Sequence, residues 1–535
     1  MTHAERWTLV LAVVVVAIAG LLPVLVVIAE SVTVEGYMSF ESYNALLSSP
    51  RQWRWLGNTV LLGVLVASVS MAVGLPLGLL LAKTDLPFRS ALAVLFTVPL
   101  LLPPYILALA WFHVLGRGGL LTQWFSPALG ELTHEVLFGL PGSVLVLSSS
   151  LMPVVLLMTI AFTRTVHPLL EEAALMTAPW RSVLTGITLP LIRPGVLLGG
   201  LLVFLLATGE FAVPMFLRFD VYAVESFTQF AAFYQPGAAT AFAVPLAFVA
   251  FVALTLERVH LRDRTYEVRF ASPRSGLLTV PLGPLRPLVM GAVLLAWLLI
   301  IGLPLGSLVA ASAVGGNYSE ALGRSWDALL RSVAYATTGA TLLTVLGFFI
   351  GYIVQRRSLP GWRSVDSLTI LLFALPSTVI GVGLVTLWNR PLLGAIYGTP
   401  LLVLIGYVAQ YIALTSRISV AGLSSVPRSM EEAAQLSGAS WFRRVGLIVA
   451  PLTGRALGAG WLIGYLFCLR DTGLSMMIYP AGGDPLPVRT FTMMANGAPA
   501  LVAALCVIMV AAALVPLLIV GLIFAGASRE NAQAA

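Results

Sequence analysis

Twelve apolar stretches of about twenty residues each occupy most of this chain, and that is the length an α-helix needs to cross a bilayer. They lie near residues 7–29, 56–82, 90–115, 143–163, 195–217 and 238–257, and then near 287–312, 332–354, 366–388, 400–416, 457–479 and 498–525. No soluble domain tolerates such a pattern. Charged residues make up 10% of the chain and hydrophobic ones 59%, whereas about a quarter of an ordinary soluble domain is charged. The expected fold class is therefore an all-α polytopic membrane protein, with about twelve transmembrane helices in two homologous six-helix halves. The first apolar run, from Trp7 to Ala29 behind Arg6, is too long for a signal peptide and lacks a small-residue cleavage site, so it is read as an uncleaved span.

The halves are visible as an internal repeat. Glu171-Glu172-Ala173-Ala174 leads to Leu189-Pro190, and Glu431-Glu432-Ala433-Ala434 leads to Ala450-Pro451. Trp180 and Trp441 are offset by 261 residues, as are Pro190 and Pro451, while Glu171 and Glu431 are offset by 260, so the first copy is one residue shorter in its turn. The domain reading that follows is a first transmembrane domain at 1–257, a charged linker at 258–286 rich in Arg, Pro and Gly, and a second transmembrane domain at 287–535. In the second copy, Ser429 and Glu432 have Ser-x-x-Glu spacing, which predicts a capping box at the helix start.

Each copy of the motif has Glu-Ala-Ala followed by a turn and a later Ile-x-x-Pro. It resembles the cytoplasmic coupling loop of binding-protein-dependent ABC importer permeases. The second copy matches with Glu432, Ala433, Ala434, Gly438 and Ile448, with Ala450 in place of the Leu before Pro451. The first keeps Glu172, Ala173, Ala174 and Ile187-Thr188-Leu189-Pro190, but has Ala178 where the family has Gly. Because a residue before proline is pushed out of the helical region, Ala178 before Pro179 still ends the first short helix. Within the family, Leu102-Pro103-Pro104-Tyr105-Ile106-Leu107-Ala108, Leu375-Pro376-Ser377-Thr378-Val379-Ile380-Gly381 and Pro487-Val488-Arg489-Thr490-Phe491-Thr492 are most similar to the iron(III)-type permeases, which fuse both halves in one polypeptide. The resemblance implies two cytoplasmic ABC ATPase subunits docked at the two loops, and an extracytoplasmic substrate-binding protein delivering iron(III) or another small substrate such as thiamine, a phosphonate or a polyamine.

Charge fixes the expected orientation. Of the 30 Lys and Arg residues, 21 fall to one side when the termini, the linker, both repeat loops and the short loops at 83–89 and 355–365 are grouped, against 8 on the other, with Arg470 inside a span. Positive charge is retained in the cytoplasm, so both termini and both repeat loops are expected there. The net charge of +7 thus reports topology in a bilayer and gives no reason to expect a nucleic-acid partner. A P-loop needs Gly-x-x-x-x-Gly-Lys-Ser/Thr to cradle phosphate, and the only lysine is Lys83, after Ala82. ATP hydrolysis is accordingly expected on partner subunits, and the chain itself is not read as an enzyme.

Ionisable residues within spans are functional candidates. Glu210 and Asp471, again offset by 261, follow the two repeat loops, with Arg470 beside Asp471, and they are candidates for lining a translocation path. The local alternative is an ion pair of Asp471 with Arg470. Pro99, Pro103, Pro104 and Pro376 predict kinked spans whose freed carbonyls find partners in neighbouring helices. Cys468 and Cys506 are read as two buried thiols. The five His residues, His3, His113, His134, His167 and His260, are scattered and do not form a metal-binding pattern, so no metal or cofactor is expected. A secondary transporter also uses repeats and broken helices; it would employ Glu210 and Asp471 as ion sites and would need no doubled docking loop.

Overall fold

The computed structural model describes residues 3–34, 37–231, 236–261, 279–313, 317–391 and 393–533. It is an all-α polytopic membrane protein; among the described residues the extended pairings are an antiparallel pair of two-residue strands at Thr33–Val34 and Tyr37–Met38 and an isolated bridge between Thr84 and Val280. The helices that matter below are α1 (His3–Ser31), α2 (Pro50–Lys83), α3 (Leu140–Thr163), α4 (Pro168–Leu175), α5 (Trp180–Thr208), α6 (Gly283–Ser312) and α7 (Asn317–Arg356). They continue with α8 (Trp362–Ala374), α9 (Ser377–Trp388), α10 (Pro400–Ser424), α11 (Arg428–Leu436), α12 (Trp441–Leu452), α13 (Gly454–Arg470), α14 (Leu486–Asn496) and α15 (Pro499–Gln533). Among the described residues, 9 helices are long and apolar enough to cross a membrane, and up to 11 if each of two bent pairs counts as one span. The stretch expected at 238–257 is helical within Pro236–Leu261, with a shorter apolar core at Thr240–Leu256. Many large apolar side chains on the spans point outward, among them Leu11, Leu25, Leu294 and Leu518, as a hydrocarbon surround requires.

Several spans read as continuous are broken. The stretch 90–115 stops at Leu101 and restarts at Pro104. The stretch 366–388 is two helices, α8 and α9, at 104°. The proline is the cause: Leu375 before Pro376 is extended, with ψ 137, because the proline ring excludes the helical region for its predecessor. The Leu375 carbonyl freed by the break accepts a hydrogen bond from Gln410 Nε2 at 3.1 Å. The stretch 457–479 stops at Arg470 and restarts as a short helix at Ser475–Ile478, with α12 meeting α13 at 76° just ahead of it, and 195–217 ends at Thr208 before a short helix at Ala212–Phe216.

Other prolines are absorbed without a break. Four π-helical turns, Ala17–Leu21, Leu184–Thr188, Leu298–Gly302 and Val445–Val449, each end two residues before a proline: Pro23, Pro190, Pro304 and Pro451. A proline inside an α-helix collides with the carbonyl four residues back. One extra residue in the turn relieves that clash and lets the chain stay helical. The proline that closes each repeat motif, Pro190 or Pro451, therefore follows a π-bulge.

Packing divides the described chain into two compact units, and neither coincides with a sequence half. One comprises Met1–Ser48, Ser226–Ala247 and Gly315–Ala535; the other comprises Ser49–Glu225 and Phe248–Val314. The boundary at 258–286 remains that of the sequence repeat, of which 262–278 lie outside the described residues. In the first unit, α1 packs on α9 so closely that a Cβ at Gly383 would come 2.6 Å from the Pro23 carbonyl oxygen. In the second, Val293 and Ile301 of α6 join a core with Leu77, Leu81, Phe96, Met152 and Leu156. Each compact unit thus contains the first span of the other half.

Within each unit, the longest contact between helices is made by small residues. Gly74 and Gly78 of α2 meet α3, where a Cβ at Gly78 would lie 2.7 Å from Thr159 Cβ. Gly347 and Gly351 of α7 meet α10, where a Cβ at either would lie 2.7 Å from Thr415 Cβ or Ser419 Cβ. Both are Gly-x-x-x-Gly pairs, the spacing that lets two membrane helices approach, and they are 273 residues apart. Replacing Gly78 or Gly351 with Leu forces these backbones apart and is expected to cost at least the ~1–3 kcal/mol typical of an overpacked site. Thermal unfolding of the purified protein in detergent should show a lowered midpoint, and an unchanged midpoint would contradict the close approach.

Candidate functional site

The two repeat loops fold alike. In each, a short helix (α4 or α11) is followed by a turn, a four-residue helix beginning at Trp180 or Trp441, and the π-bulge before the motif proline. The two glutamates of each motif lie on different faces of the short helix, one buried and the next exposed. Glu171 and Glu431 are buried, while Glu172 and Glu432 are exposed with Ala173 and Ala433; Ala174, Ala434 and Ala178 are half-buried, and Gly438 is exposed. The exposed face carries large apolar side chains in both copies: Leu169 and Leu170 with Met176 at 85% exposure, and Met430 with Leu436 at 90%.

The buried glutamates are held by cations from another helix. Glu171 Oε2 accepts from Lys83 Nζ at 2.5 Å and its Oε1 from Thr188 Oγ1 at 2.7 Å. Glu431 Oε1 pairs with an Arg356 guanidinium nitrogen at 2.6 Å, and its Oε2 accepts from Tyr352 OH at 2.9 Å. Lys83 and Arg356 are the last residues of α2 and α7, and both glutamates lie in the first turn of their helices. A helix carries partial negative charge at its C-terminus and partial positive charge at its N-terminus. Each side chain therefore suits its own helix end as well as its partner. The single lysine of the chain is thus a buried anchor.

The turns differ. In the second copy Gly438 has φ +82, its N–H bonds to the Gln435 carbonyl at 3.0 Å, and Ala439 N–H bonds to the Ala434 carbonyl at 3.0 Å. That is a Schellman closure, and it requires the left-handed residue to be glycine or to be strained. In the first copy Ala178 N–H bonds straight back to the Ala174 carbonyl at 2.9 Å, and Pro179 follows in an extended conformation. Ala178 needs no left-handed backbone. The predicted capping box at Ser429 is absent: α11 begins at Arg428, its N-cap is Pro427, and no side chain caps it. Pro427, in an extended conformation, sets the helix start two residues earlier than the Ser-x-x-Glu spacing implies. The first copy is instead capped by His167, whose Nδ1 accepts from Leu169 N–H at 3.4 Å.

The matched acids inside the spans occupy helix breaks. Glu210, half-buried between α5 and the helix Ala212–Phe216, accepts from Ala212 N–H at 2.9 Å. Asp471, 5% exposed, lies between α13 and the short helix Ser475–Ile478. Its Oδ1 accepts from Tyr411 OH at 2.6 Å and its Oδ2 from both the N–H and the Oγ of Ser475 at 2.7 Å. The Arg470 guanidinium stacks over the Phe467 ring at 4.7 Å. Among the described residues, no group of three or more His, Cys, Asp and Glu gathers as for a metal.

A second charged cluster ties the start of α7 to α14. Arg489 donates to Asp484 at 2.6 and 2.9 Å, to Asp327 at 2.8 and 3.2 Å, and to the Arg324 carbonyl at 2.9 Å. Arg331 donates to Asp327 at 2.5 Å, and Leu486 N–H bonds to Ser332 Oγ at 2.6 Å. At 40 residues and 1.5 Å per residue, α7 is roughly 60 Å long, so this cluster and the Arg356 anchor stand at opposite ends of one helix.

The family described as "Binding-protein-dependent transport system inner membrane component" matches residues 347–529. The chain is 28% identical over 467 residues to a putative ferric transport system permease protein, FbpB 1, of Haemophilus influenzae, covering 82% of this chain and 72% of that one. It is 26% identical to the ferric transport system permease protein FbpB of Actinobacillus pleuropneumoniae, covering 76% of this chain and 61% of that one. A spermidine/putrescine transport system permease protein, PotC, of Haemophilus influenzae is 27% identical over 34% of this chain.

Two outcomes are expected from this geometry. Gly438→Ala should cost about 1 kcal/mol at the α11 turn, since Ala is strained at positive φ, whereas Ala178→Gly should not tighten the first turn; amide exchange in α11 and α4 measures both. The Asp484 carboxyl is held below the usual carboxylate range by its hydrogen bonds from Arg489, against the opposing effect of partial burial. A depressed acid stabilises the fold above its unfolded pKa of about 4 and loses that contribution as pH falls through its folded value. Exchange protection around 484–491 should therefore hold from neutral pH to about 5 and fall in stronger acid, and Asp484→Asn should reduce that dependence.

Proposed function

We propose that this chain, whose residues 347–529 match the binding-protein-dependent transport system inner membrane components, imports iron(III) released by an extracytoplasmic binding protein, driven by two cytoplasmic ATPase subunits. The permease is a transport subunit and not an enzyme. One observation carries the docking part. Two short helices, in equivalent places of two repeats, expose the same apolar and acidic face, with Glu172, Ala173 and Met176 in one and Glu432, Ala433 and Leu436 in the other. An exposed apolar patch of this kind marks a protein contact, and its duplication calls for a partner present twice. The excess of Lys and Arg in the loops supports a cytoplasmic place for both helices and both termini. A secondary transporter has no use for them.

The cargo reading rests on the relatives named for ferric transport, which match over 82% and 76% of this chain, against 34% for the one named for polyamines. Glu210, Arg470 and Asp471 are candidates for the path by their place in the repeats. The bonds of Asp471 to Tyr411 and Ser475 favour a part in holding the helix break over contact with the cargo.

Glu172→Arg combined with Glu432→Arg should abolish co-purification of the ATPase and uptake together, while the protein level stays near that of the parent. Uptake of radiolabelled iron(III) by vesicles containing the full complex should require ATP inside and the binding protein outside. Normal assembly of the double variant would overturn the docking reading, and ATP-driven uptake of a polyamine in place of iron(III) would overturn the cargo.

A further inference from the structure

We infer that Glu171 and Glu431 are positioning residues that lock each docking helix to the end of the preceding long span, so that displacement of the docking helix moves α2 and α7 directly. The inference rests on the docking reading above and adds the route by which motion leaves the dock.

Two routes lead from each docking helix into the membrane. The covalent one runs on to α5 or α13 and is indirect: it passes a turn and a π-bulge, and in the second repeat a further bend of 76° at Thr453. The other route is a side-chain clamp. Lys83–Glu171 and Arg356–Glu431 are buried on both partners, with side-chain exposures of 4% and 0%, and 9% and 9%. A second donor completes each carboxylate, Thr188 in one and Tyr352 in the other. Charges so far from water are tolerated only when paired, and in the second repeat it is the ion pair itself that holds Glu431 Oε1, which has no hydrogen bond, so the contact cannot slide or open without exposing an unpaired ion. It behaves as a rigid joint.

Position supports this. Lys83 and Arg356 are 273 residues apart, as are Gly74 and Gly347, and Gly78 and Gly351. The clamp is thus in register with the glycines that seat α2 on α3 and α7 on α10. Pushing the docking helix loads the most closely packed helix pair in its unit. The exposed Glu172 and Glu432 are free to meet a partner, because the neighbouring glutamate makes the internal connection.

The test uses the full complex with its ATPase and binding protein, and reads the amount of cargo imported per ATP hydrolysed. Glu171→Gln and Glu431→Gln should still co-purify with the ATPase, while import per ATP falls on the order of 2- to 30-fold, the range seen for residues that carry coupling between sites. Lys83→Glu should fail likewise, and Lys83→Glu with Glu171→Lys should recover import per ATP. Should the glutamine variants fold poorly, Tyr352→Phe and Thr188→Val each remove one hydrogen bond with little change in shape and should lower import per ATP in the same direction. Variants that assemble and import like the parent would overturn the inference, as would swapped pairs that fail to recover. A parent chain that captures no ATPase would instead overturn the docking reading, and this inference with it.

Discussion

In hydrocarbon a backbone amide or carbonyl has no water to turn to, and each one left unpaired costs several kcal/mol. Much of the irregular structure here answers that constraint. The prolines at 23, 190, 304 and 451 would each forfeit a hydrogen bond and clash with a carbonyl, and a π-turn ahead of each removes the clash while the helix continues. Where a proline ends the helix outright, as at Pro376, a side chain from another helix takes up the freed carbonyl, here Gln410. Where a helix restarts inside the membrane, an acid supplies the missing acceptor: Asp471 for Ser475 N–H and Glu210 for Ala212 N–H. Their charge is an instance of the same accounting.

Satisfying the backbone leaves helix association to shape. Lipid tails are as apolar as leucine, so apolar side chains gain little by meeting one another. Close seating therefore falls to Gly74 and Gly78 against α3, Gly347 and Gly351 against α10, and Gly383 against the Pro23 carbonyl. The last contact also explains why the compact units cross the sequence halves. The first span of a half is joined to the rest by a loop, and the glycine surface that accepts α1 lies on α9.

The number and rough place of the spans were legible because hydropathy is a property of composition alone. The breaks at 102–103 and 375–376 were legible from Pro103 and Pro376 as kinks but not as stops, because Leu101-Leu102-Pro103 and Leu375-Pro376 are as apolar as the helices they interrupt, and the rule for residues before proline does not say whether the chain will kink, bulge or stop. The doubled loop was legible from Glu-Ala-Ala and the closing proline. Which glutamate faces inward was not. Neighbours on a helix are turned about 100° apart, and in Glu171-Glu172 and Glu431-Glu432 the phase is decided by Lys83 and Arg356, each more than seventy residues away. The clue available in the sequence was their shared offset of 273 with the Gly-x-x-x-Gly pairs, which becomes visible only when the second span of each half is aligned separately from the loops.

The two repeats solve the same mechanical problem with different side chains, and the differences are not random. The first closes its turn with Ala178 and Pro179 and holds Glu171 with a compact ammonium and a threonine. The second closes its turn with Gly438 in a Schellman motif and holds Glu431 with a guanidinium and a tyrosine that also packs on Trp441. An ammonium is a point charge that tolerates a range of approach angles, whereas a guanidinium presents its donors in a fixed fork. The Arg356 side chain also donates to the Val426 carbonyl at 3.1 Å, so that one residue fixes both the glutamate and the loop entering the docking helix. At its other end α7 is tied by Asp327 and Arg331 to Asp484 and Arg489. The second repeat is therefore braced at both ends of a helix of about 60 Å, and a load applied at one end reaches the other through a single uninterrupted hydrogen-bonded rod.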